Sequence, residues 1–287
     1  MRRSTSAMNA PEPPEGLALE RLGPADVASN VALSRSVGWQ DVDSDWRVLH
    51  DAADVRGARH QGRVAAQGAL GDYGNSATLA KMVVAPEWQR RGLGARLLDA
   101  FLAEADARGA PVGLCATDLG RPLYESRQFR VSGELVILTG LPNLGTAGGA
   151  PVVPLLDADL PVELDRRISG CDRSRMLRAR FREASAKVAL GEAELGFGLA
   201  SAQREGTLVG PILAETEDGA RALTAALLAG AAGPVRIDVP VEHGAFRGWL
   251  QGLGLREQSV RVEMARGAQR MPWQVSQRFA LATQAWG

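Results

Sequence analysis

The sequence predicts an α+β protein made of two similar halves, each a mostly antiparallel mixed sheet flanked by helices. Three observations point to this. Residues 54–84 hold three extended runs, VRGARHQ, RVAAQGALGDY and SATLAKMVV, separated by turn residues at Gln61-Gly62 and Gly74-Asn75, which reads as an antiparallel meander. A turn, an amphipathic helix and a buried-looking strand follow it. That strand, turn, helix, strand order recurs in the second half in the same frame: Gly94-Ala95-Arg96 superposes on Gly219-Ala220-Arg221, Pro111 on Pro234 and Phe129 on Leu255.

Taken in order, residues 1–15 are Pro-rich and lack an apolar core, so they read as a disordered tail rather than a secretory signal. LALERL from Leu17 alternates as a short strand. Gly23-Pro24-Ala25-Asp26 then opens a helix through Arg35, and DSDWRVLHDA forms a second, with Trp46, Leu49 and Ala53 at helical spacing. After the meander, Pro86 ends the third run. In ARLLDAFLAEADARG, Leu97, Phe101 and Leu102 continue an apolar stripe begun by Leu93, and Gly109 stops the helix. The strand PVGLCAT, a short helix around RPLYESRQ and two extended pieces, FRVSGE and LVILTG, complete a first domain over 16–141. Residues 142–150 are Gly-rich and read as a linker. The second domain, 151–287, is expected to hold a helical region from Leu160 to Ala189, a strand at GFGLAS, the recurring strand–helix–strand unit, a helix at AFRGWLQGLGL and a strand at VRVEMA.

Composition narrows the function. Thirty-three basic and 33 acidic side chains leave no net charge, which removes the electrostatic case for a nucleic-acid or polybasic membrane partner. No apolar run approaches the ~18 to 20 residues that span a bilayer. The two cysteines, Cys115 and Cys171, and the three histidines have no metal-ligand spacing, so neither a disulfide scaffold nor a metal centre is expected, and a cytoplasmic setting fits.

The segment that carries chemistry is Met82-Val83-Val84-Ala85-Pro86-Glu87-Trp88-Gln89-Arg90-Arg91-Gly92-Leu93-Gly94-Ala95. Here a strand runs into a turn and a helix start. Gly92 and Gly94 allow close backbone approach, so successive N–H groups converge on one point at the positive end of the helix dipole, a site suited to a pyrophosphate. Arg90 and Arg91 add positive charge. The Gly-Lys-Ser/Thr ending of a nucleotide P-loop and the third glycine of a dinucleotide fold are both missing.

On these residues the chain resembles the GNAT acetyltransferase superfamily. Gln89, Arg90, Arg91, Gly92, Leu93 and Gly94 match its Gln/Arg-x-x-Gly-x-Gly/Ala signature, and PLYESRQF occupies its Leu-Tyr-x-x-x-Gly-Phe region. The resemblance covers about residues 16–140. It implies acetyl-CoA as co-substrate, without a metal, and direct acyl transfer to an amine with no covalent enzyme intermediate. It implies that Met82, Val83 and Val84 offer backbone groups to the pantetheine arm, that Gln89 to Ala95 hold the pyrophosphate, and that Tyr124 protonates the departing thiolate. Gln128 stands where the family usually has Gly, and Thr117 near where many members have Asn. The strand-four carboxylate that often serves as base is missing; Asp72, Asp118 and Glu134 are candidates, and none is singled out. Cys115, on an apolar strand, reads as a buried inert thiol.

In the second half the counterpart of the phosphate loop is Glu215-Thr216-Glu217-Asp218-Gly219, whose carboxylates repel an anion, and the counterpart of Tyr124 falls near Phe246 or Trp249. The whole chain therefore resembles bacterial two-domain members with a degenerate second domain that braces the first and lines the acceptor pocket. The expected acceptor is a small-molecule amine, and the expected assembly a monomer or homodimer. A non-catalytic acyl-CoA sensor is the alternative, and acetylation of a protein N-terminus or lysine is a third possibility. The basic stretch Arg166, Arg167, Arg173, Arg175, Arg178, Arg180 and Arg182 reads as a solvated helix face, with an anionic-substrate surface as the alternative.

Overall fold

The computed structural model describes residues 17–144, 151–191 and 194–285; the expected tail and most of the expected linker lie outside these. The first half runs β1 (Leu19–Arg21), α1 (Val27–Ser36), α2 (Asp43–Ala52), β2 (Asp54–His60), β3 (Arg63–Asp72), β4 (Ala77–Val84), α3 (Leu93–Ala107), β5 (Val112–Ala116), α4 (Arg121–Glu125) and β6 (Arg130–Gly140). The second repeats that order: β7 (Val152–Pro154), α5 (Asp159–Ser169), α6 (Ser174–Glu183), β8 (Ala186–Leu190), β9 (Gly196–Gln203), β10 (Gly206–Ala214), α7 (Glu217–Ala229), β11 (Val235–Pro240), α8 (Gly244–Gly252) and β12 (Arg256–Arg266). A last strand, β13 (Arg278–Ala280), has no counterpart in the first half.

All thirteen strands form one sheet, in the order β1-β2-β3-β4-β5-β12-β6-β11-β10-β9-β8-β7, with β13 beside β10. The halves are therefore laced together. The last strand of each is inserted next to the fifth strand of the other: β12 pairs antiparallel with β5, and β6 pairs antiparallel with β11. β6 and β12 meet along the centre. Equivalent prolines do equivalent work, since the Pro111 carbonyl accepts the Ala77 N–H at 2.9 Å and the Pro234 carbonyl accepts the Thr207 N–H at 2.8 Å.

The helices join the halves on one face of the sheet. α2 buries Trp46 and Leu49 completely, and they share a core with Met176 and Leu177 of α6. Around that apolar contact Arg180 reaches Asp45 at 3.2 Å, Arg47 binds Glu183 through two bonds of 3.0 and 2.7 Å, and Arg182 meets Asp51 at 2.6 Å. In the basic stretch Arg166, Arg167, Arg175, Arg178 and Arg182 are exposed, as a solvated helix face requires, while Arg173 and Arg180 are buried. Arg173 is buried against Asp165, and Arg167 pairs with Glu215.

Two sequence expectations need correction. FRVSGE and LVILTG form one continuous strand, because Gly133, Glu134 and Leu135 stay paired with β12, with a bulge at Ser132. The helical region expected through Ala189 stops at Glu183; AKVAL is an edge-side strand whose partners, Phe197 to Ala200, lie in the next run.

Candidate active site

β4 and β5 are parallel but pair only at Ala77↔Val112 and Thr78↔Gly113; beyond that they part. On its other side β4 carries a bulge. Gln67 pairs with Val83 and Ala69 with Ala80, so Gly68 opposes both Lys81 and Met82, and Lys81 sits at φ +52°. A bulge leaves its extra residue outside the ladder and re-aims the backbone. A left-handed non-glycine residue is uncommon and costs energy that the surrounding packing must offset. The bulge falls where the parted strands open a cavity of about 470 Å³.

Downstream of β4, Gly92 takes φ +79° as the residue before α3, and Arg90 takes φ +58°. No side chain caps this helix, so the N–H groups of its first turn have no acceptor from a capping residue. The Gln89 side-chain amide donates to the Val84 carbonyl at 3.0 Å, tying the turn to the end of the strand. Arg90 and Arg91 are exposed, Arg91 lying over the Trp88 ring at 5.0 Å. Leu93 and Val83 bury their side chains in the core, so only their backbones face this region. Ala95 lies in the same first turn of α3, and a Cβ on Gly94 would sit 3.4 Å from Val84 Cγ2, a close helix–strand approach.

Tyr124, on α4, lines the cavity together with Met82, Cys115 and Thr117. Its ring packs edge-on to Phe129 at 5.8 Å. Burial pushes its hydroxyl up to about 12, and that hydroxyl makes no hydrogen bond to another described residue. The result is a phenol that stays protonated at neutral pH and is free to donate. Gln128, four residues on, adopts φ +67°, the conformation the usual glycine would take. Burial first, and then Glu263, push the Cys115 thiol well above its ordinary value, so it is held protonated although it is only half-buried.

None of the three carboxylates considered from sequence lines this cavity. Asp72 pairs with Arg108 at 2.5 Å, and Asp118 and Glu134 are exposed elsewhere. The wall carboxylates are Asp41, Asp45 and Asp238, each held by a cation: Lys81 at 2.5 Å, Arg180 at 3.2 Å and Arg236 at 2.8 Å. The sequence carries no sign of these three, nor of Arg236 and Arg261, because they arrive from α2 and the loop before it, from β11 and from β12. The second half therefore builds part of the wall, as do Thr283, Gln284 and Ala285.

The equivalent place in the second half is closed. β10 and β11 also pair only at Thr207↔Val235 and Leu208↔Arg236, but β13 fills the gap beyond. It pairs antiparallel with β10, at Ile212↔Ala280 and Leu213↔Arg278, and the Leu281 N–H donates to the Asp238 carbonyl on β11 at 3.0 Å. The fit is tight enough that a Cβ on Gly210 would lie 1.9 Å from the Leu281 carbonyl oxygen. The start of α7 is capped as well: Thr216 Oγ1 accepts the Gly219 N–H at 3.1 Å, and Glu194 accepts the Thr216 N–H at 3.0 Å. The Tyr124 position is taken by Leu250, beside Trp249 and not at Phe246: its carbonyl accepts the Leu255 N–H at 3.2 Å as the Tyr124 carbonyl accepts that of Phe129 at 3.2 Å, and its side chain is fully buried.

Comparison with known proteins places this geometry. Two acetyltransferase (GNAT) domain models match, over residues 51–131 and 162–280. The uncharacterized N-acetyltransferase YitH of Bacillus subtilis is 29% identical over 199 residues, 64% of this chain and 68% of that one. The mycothiol acetyltransferase of Thermobifida fusca is 38% identical over 112 residues, 33% of this chain and 34% of its own length. Among solved structures, a proposed acetyltransferase of Pyrococcus horikoshii superposes with a TM-score of 0.82 over 98% of this chain and 100% of its own, at 19% identity. A tandem GNAT protein from the clavulanic acid biosynthesis pathway gives 0.61 over 87% of this chain and 98% of its own, at 16% identity. With a matching domain in each half and the same order of elements in both, the chain belongs to the GNAT superfamily of N-acetyltransferases as a two-domain member.

Proposed function

We propose that the chain transfers an acetyl group from acetyl-CoA to the amine of a small metabolite, with the chemistry confined to the first half. The observation that carries this is the uncapped start of α3 behind the bulged end of β4, with the free Tyr124 hydroxyl on the adjoining cavity. The N–H groups of Gly92 to Ala95 would hold the pyrophosphate, with Gln89 fixing the turn and Arg90 and Arg91 adding charge. The backbone of Met82 to Val84 would pair with the pantetheine arm as an added strand does. When bound, acetyl-CoA supplies the activated acetyl thioester.

The chain's own residues then have separable tasks. Backbone at the β4 bulge is aimed away from the ladder, where an N–H can stabilise charge on the acyl oxygen. Tyr124 donates its proton to the leaving sulfur. Cys115, protonated, offers no competing nucleophile, which favours direct attack by the amine. With every wall carboxylate ion-paired and no imidazole among the lining residues, the amine's proton leaves to water in the cavity. A cavity of about 470 Å³ walled by both halves suits a small acceptor, and the name of the mycothiol acetyltransferase relative is compatible with one.

The test is coenzyme A release from acetyl-CoA across a panel of small amines, with N-terminal and lysine peptides alongside. Release that depends on a small amine, and exceeds that with peptides, supports the reading. Release with peptides alone refutes the small-acceptor part, and no amine-dependent release refutes the whole.

A further inference from the structure

We propose that the acceptor amine also carries a carboxylate, and that Arg261, a residue of the second half, binds it. This rests on the acetyltransferase reading above.

The charges on the cavity wall pair off with one exception. Its cations are Lys81, Arg236 and Arg261. Lys81 is held by Asp41 at 2.5 Å, and Arg236 by both oxygens of Asp238 at 2.8 Å. The remaining wall carboxylate, Asp45, is held from behind by Arg180 at 3.2 Å. Arg261 is left over. Its one hydrogen bond is from Nη1 to the neighbouring Val260 carbonyl at 3.0 Å, and no carboxylate among the described residues pairs with it. The side chain is half-buried and lies on the wall that also carries Tyr124 and the β4 bulge.

A guanidinium has five N–H donors in a planar fork, and a half-buried one with a single donor in use is matched by a carboxylate binding through two parallel bonds. Because every other charge on the wall is already paired, an acceptor bearing one negative group neutralises the cavity, whereas a simple amine or polyamine leaves Arg261 without a counter-ion. One unpaired cation also matches a single-charged carboxylate better than a doubly charged phosphate. The placement has a structural logic: Val262 on β12 pairs with Ala116 on β5, so the strand exchange sets Arg261 beside the end of β5 that lines the acetyl-transfer site. The degenerate half would thus contribute acceptor recognition rather than support alone.

The experiment measures kcat/KM for L-amino acids, the corresponding amides, the corresponding decarboxylated amines and O-phosphoethanolamine, with the wild-type chain, Arg261→Gln and Arg261→Lys. Binding of acetyl-CoA is followed separately by calorimetry. The expected result is a preference of about 10²-fold for a free carboxylate over its amide and amine, the scale of a charge-assisted bidentate contact. That preference falls to near one in Arg261→Gln, chiefly through KM, and is partly restored in Arg261→Lys. Equal use of acid, amide and amine, retention of the preference in Arg261→Gln, or preference for the phosphate compound would each overturn the carboxylate assignment alone. Failure of the wild-type chain to bind acetyl-CoA, or to use any of these amines, would overturn the underlying reading, and this inference with it.

Discussion

Thr216 Oγ1 accepts the N–H of Gly219 at 3.1 Å, closing at the start of α7 the donor set that Gly92 leaves open at the start of α3. The two helices occupy the same place in two copies of one fold, so the difference between an open and a sealed helix end comes down to a few side chains. Glu194 reinforces the seal, and β13 fills the strand gap behind it. The asymmetry of the halves is local and can be tested at single positions.

Gly92→Asp places a carboxylate beside the open amides. Asp is among the few residues that tolerate a left-handed backbone, so the fold should survive with a cost of about 1–2 kcal/mol. Acetyl-CoA affinity should fall by about 10²-fold or more, measured by calorimetry, through repulsion at a site built for negative charge.

Tyr124→Phe removes a hydroxyl that bonds to no other described residue, so stability should hardly change. Turnover should drop by about 10²-fold, with acetyl-CoA affinity retained. Since burial pushes the hydroxyl up to about 12, wild-type turnover should show no alkaline loss from Tyr124 below about pH 11. With water as proton acceptor, the rate should instead climb with pH until the acceptor amine is neutral.

Gln128→Gly should stabilise the fold. At φ +67° the Cβ of Gln128 opposes the backbone it is attached to, and relieving that should add about 1 kcal/mol, read as a rise in denaturation midpoint. An unchanged or lower midpoint would mean that the Gln128 side chain holds the turn in another way.

His50 contributes a pH dependence of stability. Its Nε2 lies 3.0 Å from Asn30 Oδ1, in a buried chain running on through Gln67 to Ser34. Burial holds its imidazole below the usual value, against the opposing pull of Asp26 and Asp51. The unfolded state therefore takes up the proton first as pH falls. His50 should thus contribute full stability above the ordinary histidine pKa of about 6.5 and lose it progressively below, down to the lowered folded value. Midpoints measured between pH 5 and 8 should fall on the acid side, and His50→Gln should flatten that slope.

Much of the first half was legible in the sequence, because its signals are local. Alternation between the turns at Gln61-Gly62 and Gly74-Asn75 gives β2 to β4, and the glycines at 92 and 94 mark the start of α3. The second half was harder. AKVAL carries no alternation in five residues, and β13 is too short to show a pattern. The exchange of β6 and β12 leaves no local trace, since a strand reads the same whichever partner it finds. The wall residues Asp41, Arg236, Asp238 and Arg261 were invisible for the same reason: only that exchange and the packing of α2 against α6 bring their segments to the mouth of β4 and β5. Asp72 fails as a candidate base because it ends β3 at the other end of the strand pair, occupied by Arg108 and the Gly74 N–H.

The central claim is one competent half beside one sealed half, and calorimetric titration of the full chain with acetyl-CoA tests it most directly. The account predicts saturable binding with a stoichiometry of one per chain, abolished by Gly92→Asp. A stoichiometry of two, or binding that persists undiminished in Gly92→Asp, would contradict it.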